Sequence, residues 1–146
     1  MTPTDHAATE TLPDAECWQL LRESAVGRLA VIVDRHPDIF PVNHVVDHGT
    51  IVFRSGTGTK VFASLHQPVA FESDGYDVEG SSAWSVVVHG IAGEIVETNE
   101  SIRAMGLPLF PWQAGPKSRF VRIEPTSITG RRIHVSGGAG STVVSG

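Results

Sequence analysis

Three runs of branched apolar residues, at 28–33, 39–46 and 50–54, follow one another so closely that the chain has few ways to join them. Asp34-Arg35-His36-Pro37-Asp38 and Asp47-His48-Gly49 are clusters of turn formers. Both are too short for the crossover that parallel strands require, so the three runs are expected to be strands of an antiparallel meander.

The third run leads into Phe53-Arg54-Ser55-Gly56-Thr57-Gly58-Thr59-Lys60, and Lys60 opens a short helical pattern through Leu65. Arginine offers a planar fork of donors, lysine a point charge, and a helix start its free N–H groups. Glycines at 56 and 58 would let backbone approach an anion closely. Arg54, Ser55, Thr59 and Lys60 are therefore candidate phosphate ligands. A solvated polar hairpin end that binds nothing explains the same residues, and the loop alone does not separate the two readings.

Residues 1–11 are polar and are expected to be flexible. Pro13-Asp14-Ala15-Glu16 reads as a first helical turn, with acids at its positive end and Cys17, Leu20 and Leu21 on an apolar face; Gly27 marks its stop. A fourth strand is expected at 68–72 and an exposed acidic loop at 73–82. Residues 84–97 should form one bent strand or two, with Gly90 and Gly93 at a bulge or corner. Asn99 can cap a short helix through Met105, and prolines 108, 111 and 116 make the next connection irregular. Strands at 119–123 and 127–133 follow, separated by Pro125, and residues 135–146 read as a disordered Gly/Ser-rich tail. Six or more antiparallel strands with only short helices imply a mainly β fold, a closed or nearly closed barrel forming one domain over 12–134.

The 146-residue chain carries 11 Lys and Arg against 16 Asp and Glu, a formal charge of −5, with no basic run. That argues against nucleic acid and anionic membrane surfaces as partners. No stretch is apolar enough for a membrane span, and the N-terminus lacks the pattern of a signal peptide. One cysteine, Cys17, precludes an intrachain disulfide, and the histidines show no paired spacing for zinc. A cytoplasmic protein without a metal is the expectation.

In order and spacing, several segments resemble the FMN-binding split-barrel family, which includes pyridoxamine 5′-phosphate oxidase and the nitroimidazole-resistance flavoproteins. They are Val26-Gly27-Arg28-Leu29-Ala30, Pro41-Val42-Asn43-His44, the loop from Phe53 to Lys60, Val69-Ala70-Phe71-Glu72, Trp84-Ser85-Val86-Val87-Val88-His89-Gly90, Pro111-Trp112 and Ile128-Thr129-Gly130-Arg131-Arg132. The resemblance implies a six-stranded antiparallel split β-barrel that forms a homodimer with FMN at the subunit interface. It favours the phosphate reading of Arg54, Ser55, Thr59 and Lys60, and places Pro41, Val42 and Asn43 along the flavin ring, mainly through backbone groups.

Trp112 resembles the position that covers the partner subunit's flavin, and Trp84 is assigned to the interface or pocket wall, although core packing explains a strand tryptophan equally. His44 stands where a tyrosine is usual, either on the solvent side of its strand or as a polar group near the substrate; no other catalytic residue is singled out. Arg131 and Arg132 are read as a solvated strand end or as partners of acids such as Asp47 or Glu72. The activity implied is that of an FMN-dependent oxidoreductase passing hydride between flavin N5 and a small-molecule substrate or NAD(P)H. The alternatives are a non-catalytic flavin- or haem-binding storage or sensor module and a deazaflavin-dependent reductase. Pyridoxamine phosphate oxidation itself ranks below these, because the C-terminal segment that would hold its substrate has no match.

Overall fold

The computed structural model describes residues 7–56, 60–95 and 118–135. These form β1 (Ala7–Thr11), α1 (Asp14–Glu23), β2 (Val26–Val33), β3 (His36–Asp47), β4 (Thr50–Gly56), α2 (Lys60–Ala63), β5 (Pro68–Asp77), β6 (Ser82–Ile95) and β7 (Ser118–Val135). The meander is present as expected. Its two turns each use two residues with positive φ, Asp34 (54°) with Arg35 (68°) and His48 (51°) with Gly49 (75°). Such a left-handed pair matches a two-residue turn to the right-handed twist of its strands.

The sheet runs β1-β7-β4-β3-β2-β5-β6, and β6 pairs back onto β7. Six strands thus close a ring, the split barrel, and β1 is added outside it. One edge of β7 pairs with β6 along most of its length. The other edge is shared between β4 at its start and β1 at its end.

Several sequence expectations are corrected here. Residues 7–11 are a strand, with Ala7 opposite Val135 and Thr11 opposite Arg131; backbone pairing to an open stretch of β7, which needs no apolar pattern, orders them. The segment 73–82 is mostly hairpin, since β5 continues to Asp77 and β6 starts at Ser82. Ser73 is fully buried, and its hydroxyl donates to the Val26 carbonyl at 2.8 Å with its oxygen 3.1 Å from Ser24 Oγ. The two strands expected at 119–123 and 127–133 are one, because the register shifts between His89 and Gly90. That shift leaves Thr126 as the extra residue of a bulge next to Pro125, which lies opposite Gly90, and Thr126 Oγ1 donates to the His89 carbonyl. The helix and irregular connection expected between 99 and 116, and the tail beyond 135, lie outside the described residues.

The barrel interior is filled by the inward rows of its strands, including Leu29, Ile51, Phe53, Phe71, Val88 and Val121, all fully buried. Each such side chain withdraws enough apolar surface to contribute about 1.5–3 kcal/mol. Gly27 lies in β2 rather than at a helix stop, and a Cβ there would sit 2.2 Å from the Phe71 ring. One mouth of the barrel is plugged by Leu12 with Cys17 and Leu21 of α1, the other by Val61 of α2. No helix among the described residues is long and apolar enough to cross a membrane.

Candidate functional site

The β3–β4 ladder runs from Asp47↔Thr50 only to His44↔Phe53. Beyond that point each strand continues with a different partner. β3 stays on β2 as far as His36↔Val33, and β4 stays on β7 as far as Gly56↔Ser118. The two strands therefore part, and the edge at Pro41, Val42 and Asn43 faces the edge at Arg54, Ser55 and Gly56. This is the split in the barrel, and most sequence-predicted site residues in the described chain border it.

Strand alternation sorts their side chains. Val42 and His44 are buried with the inward row, so Val42 can meet a ligand only through its backbone. Pro41, Asn43 and Arg54 belong to the outward rows. The Arg54 guanidinium lies 5.8 Å from the centroid of the Phe120 ring. Beside it the outer face carries a second apolar cluster, Val52 and Ile95 with Val45 and Phe120. Ser55 continues the inward row of Phe53 and reaches the barrel mouth.

Lys60 is the first residue of α2 and leans over the same mouth. Its Nζ donates to Asp38 Oδ2 at 2.8 Å, and Asp38 Oδ1 accepts the Ile39 N–H at 3.0 Å. The Lys60 ammonium, and then that N–H, hold the Asp38 carboxyl below its ordinary pKa, while Lys60 is raised by the same partner. The expected helix start is a single turn of four residues, so its dipole adds little and the side chains dominate. On the other side α2 is held by Phe62, whose ring lies 4.0 Å below the Arg119 guanidinium. Arg119 in turn makes two hydrogen bonds of 2.6 Å to Glu94.

His44 fits neither position foreseen for it. Only 4% exposed, it donates from Nε2 to the Leu21 carbonyl at 2.9 Å and packs edge-on against Phe71. Nδ1 is buried without a hydrogen-bond partner. Burial lowers the pKa of this ring, so it is a neutral strut between β3 and α1. Trp84 is also placed away from the parting. It pairs with Gly75 and Arg132 at the far end of β6 from Ile95, its indole lying where a Cβ on Gly75 would be. The arginines near the end of β7 do not meet Asp47 or Glu72: Arg132 bonds Glu16 at 2.8 Å, while Asp47 pairs with Arg122 and Glu72 with Arg28. Thr59 and Trp112 lie outside the described residues.

The geometry brings a guanidinium, an amide and an ammonium to one break in the sheet, next to a buried apolar cluster on its outer face. Those groups suit a phosphate-bearing ligand with a flat apolar body. Residues 13–132 match the sequence model of the pyridoxamine 5′-phosphate oxidase family.

The chain belongs to that family.

Among solved structures, an FAD-binding protein from Mycobacterium smegmatis is 39% identical, covering 87% of this chain and all of its own, with a TM-score of 0.74. A conserved protein of unknown function from Corynebacterium diphtheriae is 34% identical over 84% of this chain and 96% of its own, with a TM-score of 0.69. An uncharacterized protein of Mycobacterium tuberculosis is 34% identical over 124 residues, 81% of each chain. The span shared with the oxidase family covers the parting and the strands on either side of it. Sequence reading missed Asp38, which it placed in a turn cluster, and the Phe62–Arg119–Glu94 clamp. Only the register of β3 against β2 and of β7 against β6 brings those residues to the mouth, and no local signal carries that information.

Proposed function

We propose that this chain is a flavoprotein oxidoreductase that holds its cofactor by the phosphate where β3 and β4 part. The observation that carries the reading is the break in the ladder after His44↔Phe53, bordered by Asn43 and Arg54 and neighboured by Lys60. Arg54 and Lys60 supply the charge-assisted donors that offset the lost hydration of a phosphate. The stretch Pro41–Asn43 would run along the ring, and the buried cluster of Val52 and Ile95 backs the site on the outer face. A bound flavin supplies the hydride and electron transfer at its N5 atom, and the protein's part is binding, orientation and electrostatics. The reaction class is hydride exchange with a small-molecule substrate or NAD(P)H.

FMN is the cofactor that the sequence pattern favours, and FAD is the rival favoured by the likeness to the M. smegmatis FAD-binding protein. Both carry the phosphate that the parting would hold. The reading also calls for a homodimer. Trp84 stands roughly 30 Å or more along β6 from Ile95 at about 3.3 Å per residue, so it reaches a flavin at the parting only from a second copy.

The test is reconstitution with FMN and with FAD, followed by NAD(P)H oxidation in the presence of electron acceptors. Flavin-dependent turnover supports the assignment. Tight flavin binding with no turnover for any donor would leave a storage or sensor module.

A further inference from the structure

We propose that Arg119 is a positioning residue for the cofactor phosphate: gripped by Glu94, it holds α2 at the barrel mouth and so keeps Lys60 in place for the ligand. The proposal rests on the reading of Lys60 as a phosphate ligand.

Three inward rows leave the core at this mouth and turn polar together. Toward the mouth, fully buried Phe53, Val121 and Ala92 are succeeded on their strands by Ser55, Arg119 and Glu94. Arg119 stands opposite Ser55 in the β4–β7 ladder. Its Nε and Nη2 donate to the two Glu94 carboxylate oxygens at 2.6 Å each, which fixes the plane of the guanidinium. Arg119 keeps the Glu94 carboxyl below its ordinary pKa, so both groups are charged at neutral pH. The guanidinium carbon lies 4.0 Å from the centroid of the Phe62 ring, and Phe62 belongs to the same four-residue helix as Lys60.

A helix of one turn has too few hydrogen bonds of its own to hold its residues in place. Val61, buried in the core, fixes how deep α2 sits, but one inserted side chain leaves rotation about it open. Phe62 under Arg119 closes that rotation and sets the direction from which Lys60 approaches the mouth. Lysine carries its charge on a flexible stem, so an anchored backbone is what narrows its search for a phosphate. Ordering completed before the ligand arrives is ordering that binding does not have to supply. Arg119 and Glu94 offset each other in charge, so the clamp acts through position.

FMN, FAD and riboflavin share the ring and ribityl chain, and riboflavin alone lacks phosphate. Their dissociation constants, measured by flavin fluorescence, therefore separate the phosphate contact from the rest of the pocket. Arg119→Met combined with Glu94→Gln removes the clamp without changing net charge, and Phe62→Leu breaks it from the α2 side with every charge kept. Each should weaken FMN and FAD about tenfold and leave riboflavin unchanged. On a Lys60→Met background the same changes should move FMN and FAD by no more than about twofold. Arg119→Lys, which keeps a cation over Phe62 but cannot grip both carboxylate oxygens, should fall between. Equal losses for all three flavins, no loss, or an undiminished loss on the Lys60→Met background would overturn the proposal. If Lys60→Met alone leaves FMN and FAD unchanged, Lys60 holds no phosphate and the proposal falls with that reading. If Lys60→Met weakens them while the clamp variants do not, the proposal alone falls.

Discussion

The His44 imidazole donates one proton to a carbonyl and keeps its other nitrogen among apolar side chains, so a second proton would be buried without a partner. Burial lowers its pKa from 6.5, against weaker support for the charged form from the Leu21 and Ala25 backbone. The unfolded chain therefore binds more protons just below pH 6.5 than the fold does. Stability from this residue is complete above 6.5 and is lost as the pH falls below it. Thermal melts between pH 8 and 5 should show that loss in the wild type. His44→Gln, which keeps an N–H for Leu21 but does not titrate, should flatten the profile; parallel profiles would mean the ring is not the group responsible. At the parting, a hydrogen bond from a charged donor contributes about 1.5–3 kcal/mol. Replacing Arg54 and Lys60 together with Ala should weaken flavin binding by at least about a hundredfold. Lys60→Ala alone should hardly move the melting temperature, since the Lys60–Asp38 pair is solvent-exposed. Unchanged affinity in a fluorescence titration would misplace the phosphate.

Among the elements, α2 has the least intrinsic stability, because a helix of one turn does not form alone. It is fastened to the barrel mouth by Lys60–Asp38 on one side and by Phe62 under Arg119 on the other. Arg119→Ala removes the cation–π contact and both bonds to Glu94. Backbone amide exchange at Ser64 and His66 should then accelerate, while the β2 and β5 amides stay protected. Uniform acceleration across the barrel would instead make Arg119 a global support. β2 depends on Gly27 in a different way: a methyl there meets the Phe71 ring at 2.2 Å and the Glu72 carbonyl at 2.8 Å. Gly27→Ala should cost about 1–3 kcal/mol in denaturant unfolding, and an unperturbed midpoint would show that Phe71 can yield.

The same elements show what the sequence makes legible. The meander could be read because its turns are short and its inward rows apolar. β1 could not, since Ala7–Thr11 is ordered by backbone bonds to β7 and carries no apolar alternation. The polar upper arm of β5 hid for a related reason: Ser73 is buried through hydrogen bonds, which leave no trace in hydropathy. At the site the cationic residues were visible, but their arrangement was not. Arg54 faces outward while its neighbour Ser55 turns to the mouth, and Asp38 reaches Lys60 only because β3 has left β4 for β2.

On the scale of the whole molecule, one long strand, β7, organises the ring by pairing with β6, β4 and β1 in turn. Its departure with β4 opens the barrel at the place where the candidate phosphate ligands gather. The chain belongs to the pyridoxamine 5′-phosphate oxidase family and is 39% identical to an FAD-binding protein of known structure. The most direct measurement is the visible spectrum of the purified protein, with the released cofactor identified by mass. The account predicts a yellow protein with flavin absorption bands, a released mass matching FMN or FAD, and loss of the colour when Arg54 and Lys60 are both Ala. A colourless protein that ignores micromolar FMN and FAD would contradict it.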